Sequence, residues 1–243
     1  TVEAALAEGA PLIHDPHDPI ADFYFKGGAR PVANSNMFHS FRSDTGDVDA
    51  AEAAAAYVHE DRFKFPPIFH YALEPHTVIA DFQGDTLTVW AGAQTPSAVQ
   101  KVLSRIFGLQ LAKVRVVVPF VGGGFGGKAS VKIEPLVAAA SWKVQRPVRV
   151  AQSLADSMLT CRRLGADITI RTAVDAGGRI LAKSAKIVMD GGAYADTGPA
   201  VASKAANRII GPYAIPNLRL ESSAVYTNTV PGAAFRSIGG PQA

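Results

Sequence analysis

The sequence has a single cysteine, Cys161, among its 243 residues. One thiol excludes an intrachain disulfide, and it excludes a zinc or iron–sulfur site built from four cysteines. An electron-transfer cluster would have to be bound by another chain or another segment. Scarce cysteine is also typical of proteins kept in a reducing compartment, so we expect a cytoplasmic location.

Long apolar runs and blocks of one charge are missing as well. Glycine, proline or charged residues interrupt every apolar stretch, so no membrane span is predicted. The N-terminal stretch TVEAALAEGAPLIHD lacks the basic segment and apolar core of a secretion signal. The 24 lysines and arginines are spread along the chain, and the net charge is only +3. The one basic pair, Arg162 and Arg163, is too short for a nucleic-acid surface, so no nucleic-acid partner is expected.

The chain does contain an irregular mixture of helix and strand patterns. Residues 1–45 are rich in proline, glycine, aspartate and histidine, which predicts loop and linker. Elsewhere apolar spacing predicts helices or strands. The predicted helices are 47–58, 96–109 and 133–144; the predicted strands are 76–82, 85–92, 113–121, 146–153, 166–174, 179–194 and a strand from 218. No unit repeats along the chain, so the sequence predicts an α+β fold of mixed α/β character.

The strongest local feature is the segment GGGFGGK at 122–128, called the glycine loop below. It holds five glycines in six residues between a predicted strand and a predicted helix. Without side chains, its backbone N–H groups can approach oxo, phosphate or pterin oxygens. A flexible turn is the plain alternative, although a turn rarely needs so many glycines.

A nucleotide-binding P-loop is a second alternative for the same segment. Gly122, Gly127 and Lys128 satisfy the G-x-x-x-x-G-K part of that motif. The next position must be Ser or Thr to reach magnesium, but it is Ala129, and Ser130 comes one residue late. The motif is therefore incomplete.

A second glycine-bearing segment, AFRSIGGPQ at 234–242, lies near the end of the sequence and is called the arginine loop below. Arg236 beside the glycine turn could offer a fork of donors to an anionic or oxygen-rich ligand. Taken alone, an arginine near a turn is more typical of a solvated surface.

Taken together and in order, the two loops resemble the molybdopterin-binding large subunit of the xanthine dehydrogenase/aldehyde oxidase family. Further strings of the family occur in the same order: ALEPH at 72–76, WAGAQ at 90–94, GPYAIPN at 211–217 and YTNT at 226–229. The resemblance covers the whole chain but a minority of such a subunit, and it implies an internal fragment. It places 1–45 in the tail of a hammerhead domain with its linker, and 46–243 in an incomplete first cofactor-binding domain.

The resemblance also implies which residues bind the cofactor. Gln94 matches the glutamine whose amide hydrogen-bonds an oxygen ligand of the metal. The matching positions of the two cofactor loops are Gly123, Gly124, Phe125, Gly126 and Arg236. No residue is expected to bind the metal directly, because molybdenum is held through the pterin.

Two substrate-pocket positions depart from the purine-oxidising members. Ala129 stands where those members have a glutamate, and Ile238 stands where they have a stacking aromatic residue, with Ser237 in place of the usual glycine. The losses argue against xanthine as the substrate, because the polarity of a pocket decides such choices. Arg208 matches a substrate-contacting arginine of the family.

The resemblance implies hydroxylation of an N-heterocycle or an aldehyde with oxygen from water. The implied cofactors are molybdopterin with molybdenum, in its cytosine dinucleotide form, and [2Fe-2S] clusters and FAD on partner subunits or segments. The general-base glutamate is expected beyond residue 243, so no catalytic residue lies in this chain. A non-catalytic domain of the same fold with degenerate loops is the alternative that Ala129 and Ile238 leave open.

His70, Glu74 and His76 could be taken for a metal cluster. Their spacing does not match a helical H-E-x-x-H zinc site, and Pro75 interrupts any local helix. We expect a structural role in which Glu74 and His76 bond the backbone of a loop.

Overall fold

The computed structural model describes residues 1–14 and 32–242. The chain forms two compact units. Thr1–Ile68 and Arg163–Ala243 form one of them, which we call the discontinuous unit. Phe69–Arg162 forms the other, the inserted unit, whose sequence interrupts the first.

A five-stranded sheet of order β1-β10-β9-β8-β2 forms the frame of the discontinuous unit. Its strands are β1 (Met37–Thr45), β2 (Tyr57–Phe65), β8 (Gly165–Val174), β9 (Ile180–Gly192) and β10 (Asn217–Tyr226). Neighbours are antiparallel except β9 and β10, which are parallel. A parallel pair needs a crossover connection. Here α6 (Gly198–Arg208) provides it, and its small side chains pack on the core around Phe38, Ile187 and Met189.

Shorter elements complete this unit. They are α1 (Val2–Ala5), α2 (Val48–Ala53), the two-strand pair β7 (Arg162–Arg163) and β11 (Gly232–Ala233), and a 3-10 turn at Gly240–Gln242. Asp47 caps α2 by accepting the Ala50 N–H at 3.0 Å, which satisfies a donor that the first turn leaves free.

The inserted unit is built on a four-stranded sheet of order β5-β4-β3-β6. Its elements are β3 (Thr77–Gln83), β4 (Thr86–Ala91), α3 (Pro96–Ile106), a 3-10 turn (Leu111–Lys113), β5 (Val114–Val117), α4 (Glu134–Val144), β6 (Val148–Ala151) and α5 (Leu154–Met158). Here too the parallel pair, β4 with β5, is joined by a helix, α3. Apolar residues of α3, α4 and the sheet share one core, which includes Val99, Val137 and Val89.

The predicted α+β fold is confirmed, with corrections at particular elements. Part of the predicted linker, Met37–Thr45, is strand β1, held in the sheet by its pairing with β10. The predicted helix 47–58 stops at Ala53, and Tyr57 and Val58 begin β2. The predicted buried strand 113–121 is reduced to Val114–Val117, because Pro119 has no N–H for a ladder. Phe120, beyond it, is 87% exposed. In the described part of the chain, no helix has the length and apolar character needed to cross a bilayer.

Candidate functional site

The glycine loop lies in the inserted unit, after β5 and before α4. Three of its residues have left-handed backbone angles, with φ of 91° at Gly123, 51° at Phe125 and 105° at Gly126. Glycine adopts such angles readily, whereas a phenylalanine there is strained. Strain of this kind is retained only where the surroundings fix the conformation.

Gln94 fixes one side of the glycine loop. Its side-chain Oε1 accepts the N–H of Gly126 at 2.9 Å and the N–H of Lys128 at 3.3 Å, and its own backbone N–H donates to the Lys128 carbonyl at 2.9 Å. Gln94 is exposed, and its Nε2 has no hydrogen bond to any described residue. The side chain therefore presents two free donors while its acceptor is used by the loop.

Backbone donors of the same loop are also free. The N–H groups of Gly123, Gly124 and Phe125 make no hydrogen bond within 1–14 and 32–242. The N–H of Gly126, which was predicted to bind the cofactor, instead donates to Gln94. That contact narrows the predicted backbone donors to Gly123, Gly124 and Phe125.

Close packing explains why the loop needs glycine. A Cβ on Gly122 would lie 2.5 Å from the Cβ of Glu74, and one on Gly124 would lie 2.5 Å from Oε1 of Gln94. At Gly127 the added atom would lie 2.9 Å from the ring of His70. Three glycines thus make room for the side chains of Glu74, Gln94 and His70. These side chains pack against the loop, so it is not a flexible turn.

Lys128 ends the loop as a buried side chain, only 4% exposed. Its Nζ donates to the Glu74 carboxylate at 2.7 Å and to the Glu74 carbonyl at 2.8 Å. Burial alone would raise the pKa of Glu74, but the hydrogen bonds from Lys128 and from the Gly122 N–H outweigh it and lower that pKa. A P-loop lysine must reach phosphate, and its loop must open a helix. Here the amine is already paired and α4 starts only at Glu134.

His76, His70 and Cys161 form the layer beneath the loop. The backbone N–H of His76 donates to Ser157 Oγ at 3.0 Å, and its ring Nε2 lies 3.4 Å from the Gly127 carbonyl. Cys161 Sγ lies 3.4 Å from the same carbonyl. Burial lowers the pKa of His76 to about 4. Among the described residues, no group of three His, Cys, Asp or Glu side chains is placed to hold a metal ion.

The remaining predicted residues lie in the discontinuous unit. Arg236 and Ile238 are exposed on the arginine loop. Arg208, in the last turn of α6, donates from Nη1 to the Ile238 carbonyl at 2.7 Å and to Ser237 Oγ at 3.0 Å. Part of the Arg208 guanidinium therefore holds the loop. The predicted contact of Arg208 with substrate stays a prediction. In the discontinuous unit, the structure therefore brings Arg208 and Ile238 together. In the inserted unit, it brings Gln94 and the glycine loop together.

Comparison with known proteins decides the family. A family model described as the molybdopterin cofactor-binding domain matches residues 30–243. The chain belongs to this family. It is 36% identical over 211 residues to a probable xanthine dehydrogenase component of Bacillus subtilis (strain 168), covering 86% of this chain and 28% of that protein. It is 30% identical to the nicotinate dehydrogenase large molybdopterin subunit of Eubacterium barkeri, over 100% of this chain and 53% of that protein.

Solved structures give the same result. The aldehyde oxidoreductase of Desulfovibrio gigas superposes with a TM-score of 0.88 at 26% identity, over 100% of this chain and 25% of that one. The reconstituted CO dehydrogenase of Oligotropha carboxidovorans superposes with a TM-score of 0.80 at 29% identity, over 97% of this chain and 30% of that one. The chain thus spans between a quarter and about half of the length of these four proteins.

The residues of this molybdopterin cofactor-binding domain fit the group that the family binds. A pterin cofactor with an oxygen-bearing metal offers mainly acceptors, so its site must offer donors. The inserted unit presents the free amide nitrogen of Gln94 and the free N–H groups of Gly123, Gly124 and Phe125. These donors are neutral, and the one lysine of the glycine loop is paired with Glu74.

Sequence reasoning missed the pairing of Glu74 with Lys128. It treated Glu74 as a structural carboxylate and Lys128 as an imperfect P-loop lysine, and it did not connect them. Their contact spans 54 positions of sequence, so no local pattern could show it. The available signal was chemical: a lysine inside a glycine-rich, apolar segment needs an acidic partner if it is buried.

Proposed function

We propose that this chain supplies part of the cofactor site of a molybdenum hydroxylase that oxidises an N-heterocycle or an aldehyde with oxygen from water. The observation that carries the proposal is a set of donors without a partner among the described residues on a fixed loop: the Gln94 amide nitrogen and the N–H groups of Gly123, Gly124 and Phe125, of which Gln94 and Phe125 are exposed and Gly124 is buried. Pre-fixed donors bind an oxygen-rich group without first being ordered.

When bound, molybdopterin supplies the redox chemistry, and the protein supplies binding and orientation. In the proposal Gln94 donates to an oxygen of the cofactor, Gly124 and Phe125 donate from the backbone, and the exposed Phe125 ring forms one wall. The chain contributes no catalytic base; a glutamate in the remaining polypeptide would have to serve.

The wider assembly is also part of the proposal. Residues 1–45 would belong to the end of a hammerhead domain and its linker, and 46–243 to the first cofactor domain. Electrons would pass to [2Fe-2S] clusters and FAD on partner subunits or segments of a cytoplasmic complex. The cofactor would be the cytosine dinucleotide form.

Two pocket positions support a substrate other than xanthine. Ala129 offers no carboxylate and Ile238 offers no aromatic ring to stack on a purine. Ile238 is 38% exposed, so its apolar side chain is available to a ligand. Among the relatives, one is named a nicotinate dehydrogenase and one solved structure a quinoline 2-oxidoreductase, which makes N-heterocycles other than purines the first candidates to screen.

Metal analysis of the native complex tests the proposal. Mass spectrometry for molybdenum and a pterin assay should find close to one of each per complex. If an intact, folded complex contains neither, the hydroxylase function is wrong, and the non-catalytic domain that Ala129 and Ile238 would suit takes its place. A loaded complex justifies a substrate screen with N-heterocycles and aldehydes.

Gly124→Ala tests the donor set itself. The new Cβ would lie 2.5 Å from Oε1 of Gln94, so Gln94 must move and give up its bonds to the loop. Because a flexible side chain can move, we expect a modest loss of stability, about 1 kcal/mol, but a large loss of molybdenum and pterin. Gly177→Ala, in an exposed turn of the discontinuous unit, is the control. Equal cofactor content in the two variants would contradict the assignment of Gln94.

A further inference from the structure

Glu74 bonds the glycine loop at both of its ends. At the first end, the Glu74 N–H donates to the Gly122 carbonyl at 2.9 Å, and the Gly122 N–H donates to Glu74 Oε2 at 2.8 Å. At the last end, the ammonium of Lys128 donates to Glu74 Oε2 at 2.7 Å and to the Glu74 carbonyl at 2.8 Å. One residue therefore joins position 122 to position 128 and closes the loop into a ring.

Two glycines, Gly92 and Gly122, lie so close to Glu74 that a side chain at either position would collide with it. A Cβ on Gly92 would lie 2.8 Å from Glu74 Oε2, and a Cβ on Gly122 would lie 2.5 Å from the Glu74 Cβ. Both WAGAQ and the start of the glycine loop thus leave the space that the carboxylate and its stem occupy. Such close approach on two sides shows that the Glu74 carboxylate packs against the backbone of both segments, although its side chain is still 34% exposed.

Stability alone does not account for the pair. The Lys128 ammonium is taken out of water, whereas the Glu74 side chain is 34% exposed, and an ion pair that loses hydration on one side often adds little net stability over an apolar replacement. What such a pair does provide is a fixed geometry, since each partner has several bonds to satisfy at once. Lys128 is 4% exposed and makes its two bonds to one residue.

The geometry points to Glu74 and Lys128 as positioning residues for the cofactor, acting by holding the glycine loop in the conformation that leaves the N–H groups of Gly124 and Phe125 free. We call this pair, Glu74 with Lys128, the clamp. The inference rests on the proposed function, because it assigns the clamp to that cofactor. Between the clamped ends, Gln94 bonds Gly126 and Lys128. Only the stretch at positions 123–125 is left to face a ligand with its backbone.

The test uses the native complex with Lys128→Met, Glu74→Ala and Glu74→Gln. Lys113→Met is the matched control, since Lys113 pairs with Asp85 at 3.1 Å in the same unit but both side chains are exposed. Two readouts are taken: hydrogen–deuterium exchange of the Gly122, Gly126 and Lys128 amides, and molybdenum and pterin content per complex. Unfolding temperatures identify variants that have lost their fold.

We expect Lys128→Met and Glu74→Ala to speed exchange of those amides about tenfold or more, a local opening of about 1.4 kcal/mol, and to lower cofactor content by a similar factor. Glu74→Gln keeps an oxygen acceptor for Gly122 and Lys128, so it should recover most of the cofactor that Glu74→Ala loses. The control should behave as the wild type does.

The possible failures are distinguishable. A wild-type complex without molybdenum and pterin overturns the proposed function, whatever the variants do. A loaded wild type with exchange and cofactor content unchanged in Lys128→Met and Glu74→Ala overturns the clamp. If Lys128→Met does not assemble, the comparison of Glu74→Gln with Glu74→Ala decides: equal cofactor loss in both would mean that the acceptor geometry plays no part.

Discussion

Both candidate loops contain a non-glycine residue in the left-handed region, Phe125 with φ of 51° and Ser237 with φ of 71°. A side chain there costs on the order of 1 kcal/mol, which the surroundings must offset. At Phe125 the offset comes from Gln94 and the Glu74–Lys128 pair, which fix the loop on both sides. At Ser237 it includes the bond from Arg208 to the serine hydroxyl.

Ser237 allows the strain and the hydrogen bond to be separated. Ser237→Ala keeps the unfavourable backbone angle and loses the Arg208 bond, so we expect it to destabilise the protein by about 1 kcal/mol. Ser237→Gly loses the same bond but relieves the angle, so it should be more stable than Ser237→Ala by about 1 kcal/mol. Urea denaturation of the two variants measures the difference, and a more stable alanine variant would mean that the strain is absent.

His76 is expected to make stability depend on pH. It is buried, 8% exposed, and its pKa falls from the ordinary 6.5 to about 4 in the folded chain. Between about pH 6.5 and pH 4 the unfolded chain therefore binds a proton that the folded chain does not. Stability contributed by neutral His76 is complete above pH 6.5 and is lost as pH falls, by at most about 1.4 kcal/mol for each pH unit.

Replacing His76 with asparagine should remove that part of the pH dependence. The free energy of unfolding is measured by denaturant titration at several pH values in this window. The wild type should lose stability more steeply than the variant on acidification. His59→Asn on the exposed strand β2 is the control, and it should keep the wild-type slope. Parallel slopes for wild type and His76→Asn would show that His76 does not stay neutral when folded.

At the scale of elements, Ser141 ties helix α4 to the sheet of the inserted unit. Its buried hydroxyl accepts the Phe82 N–H from β3 at 3.0 Å and donates to the Arg146 carbonyl at 2.8 Å. Ser141→Ala leaves both buried groups without this partner, so a loss of about 1–3 kcal/mol is expected. Thermal unfolding measures it against Ser97→Ala, an exposed serine in the first turn of α3. Equal midpoints would show that the hydroxyl contributes nothing.

Elements with a clear apolar pattern could be predicted from the sequence, and those without one could not. Strands β3, β4, β8, β9 and β10 and helices α3 and α4 were found within a few residues of their ends. Strand β2 was missed because all nine of its residues are exposed, so no alternation of apolar and polar positions marks it. Helix α6 was not predicted; it begins with Gly198 and Pro199, and proline is well tolerated in a first helical turn.

The position of the glycine loop could be predicted from the sequence, but the side chains that hold it in place could not. The sequence placed the glycine loop and, through the family resemblance, Gln94. It attributed the glycines to ligand access alone, whereas Gly122, Gly124 and Gly127 also accommodate Glu74, Gln94 and His70. Contacts of this kind join residues tens of positions apart, as in the 48 that separate Gly122 from Glu74, and one sequence alone does not reveal them.

At the scale of the whole molecule, the two units differ in sequence separation, that is, in how many positions lie between residues that bond each other. In the discontinuous unit, Arg42 of β1 bonds Glu221 of β10 across 179 positions, and Arg62 of β2 bonds Asp167 of β8 across 105. Pairings in the inserted unit are confined to the continuous stretch Phe69–Arg162. The sheet of the discontinuous unit therefore depends on residues after Arg162, whereas the sheet of the inserted unit is complete without them.

This nesting sets an order for folding during synthesis. When Arg162 has left the ribosome, every strand of the inserted unit is available, whereas β1 and β2 still lack β8, β9 and β10. Because domains fold as units while translation proceeds, a stalled nascent chain at this stage should protect Phe69–Arg162 from protease and leave Tyr57–Phe65 open to cleavage. Until β8 emerges, β2 has no partner strand, and the charged side chains between its aromatic residues disfavour pairing with another chain.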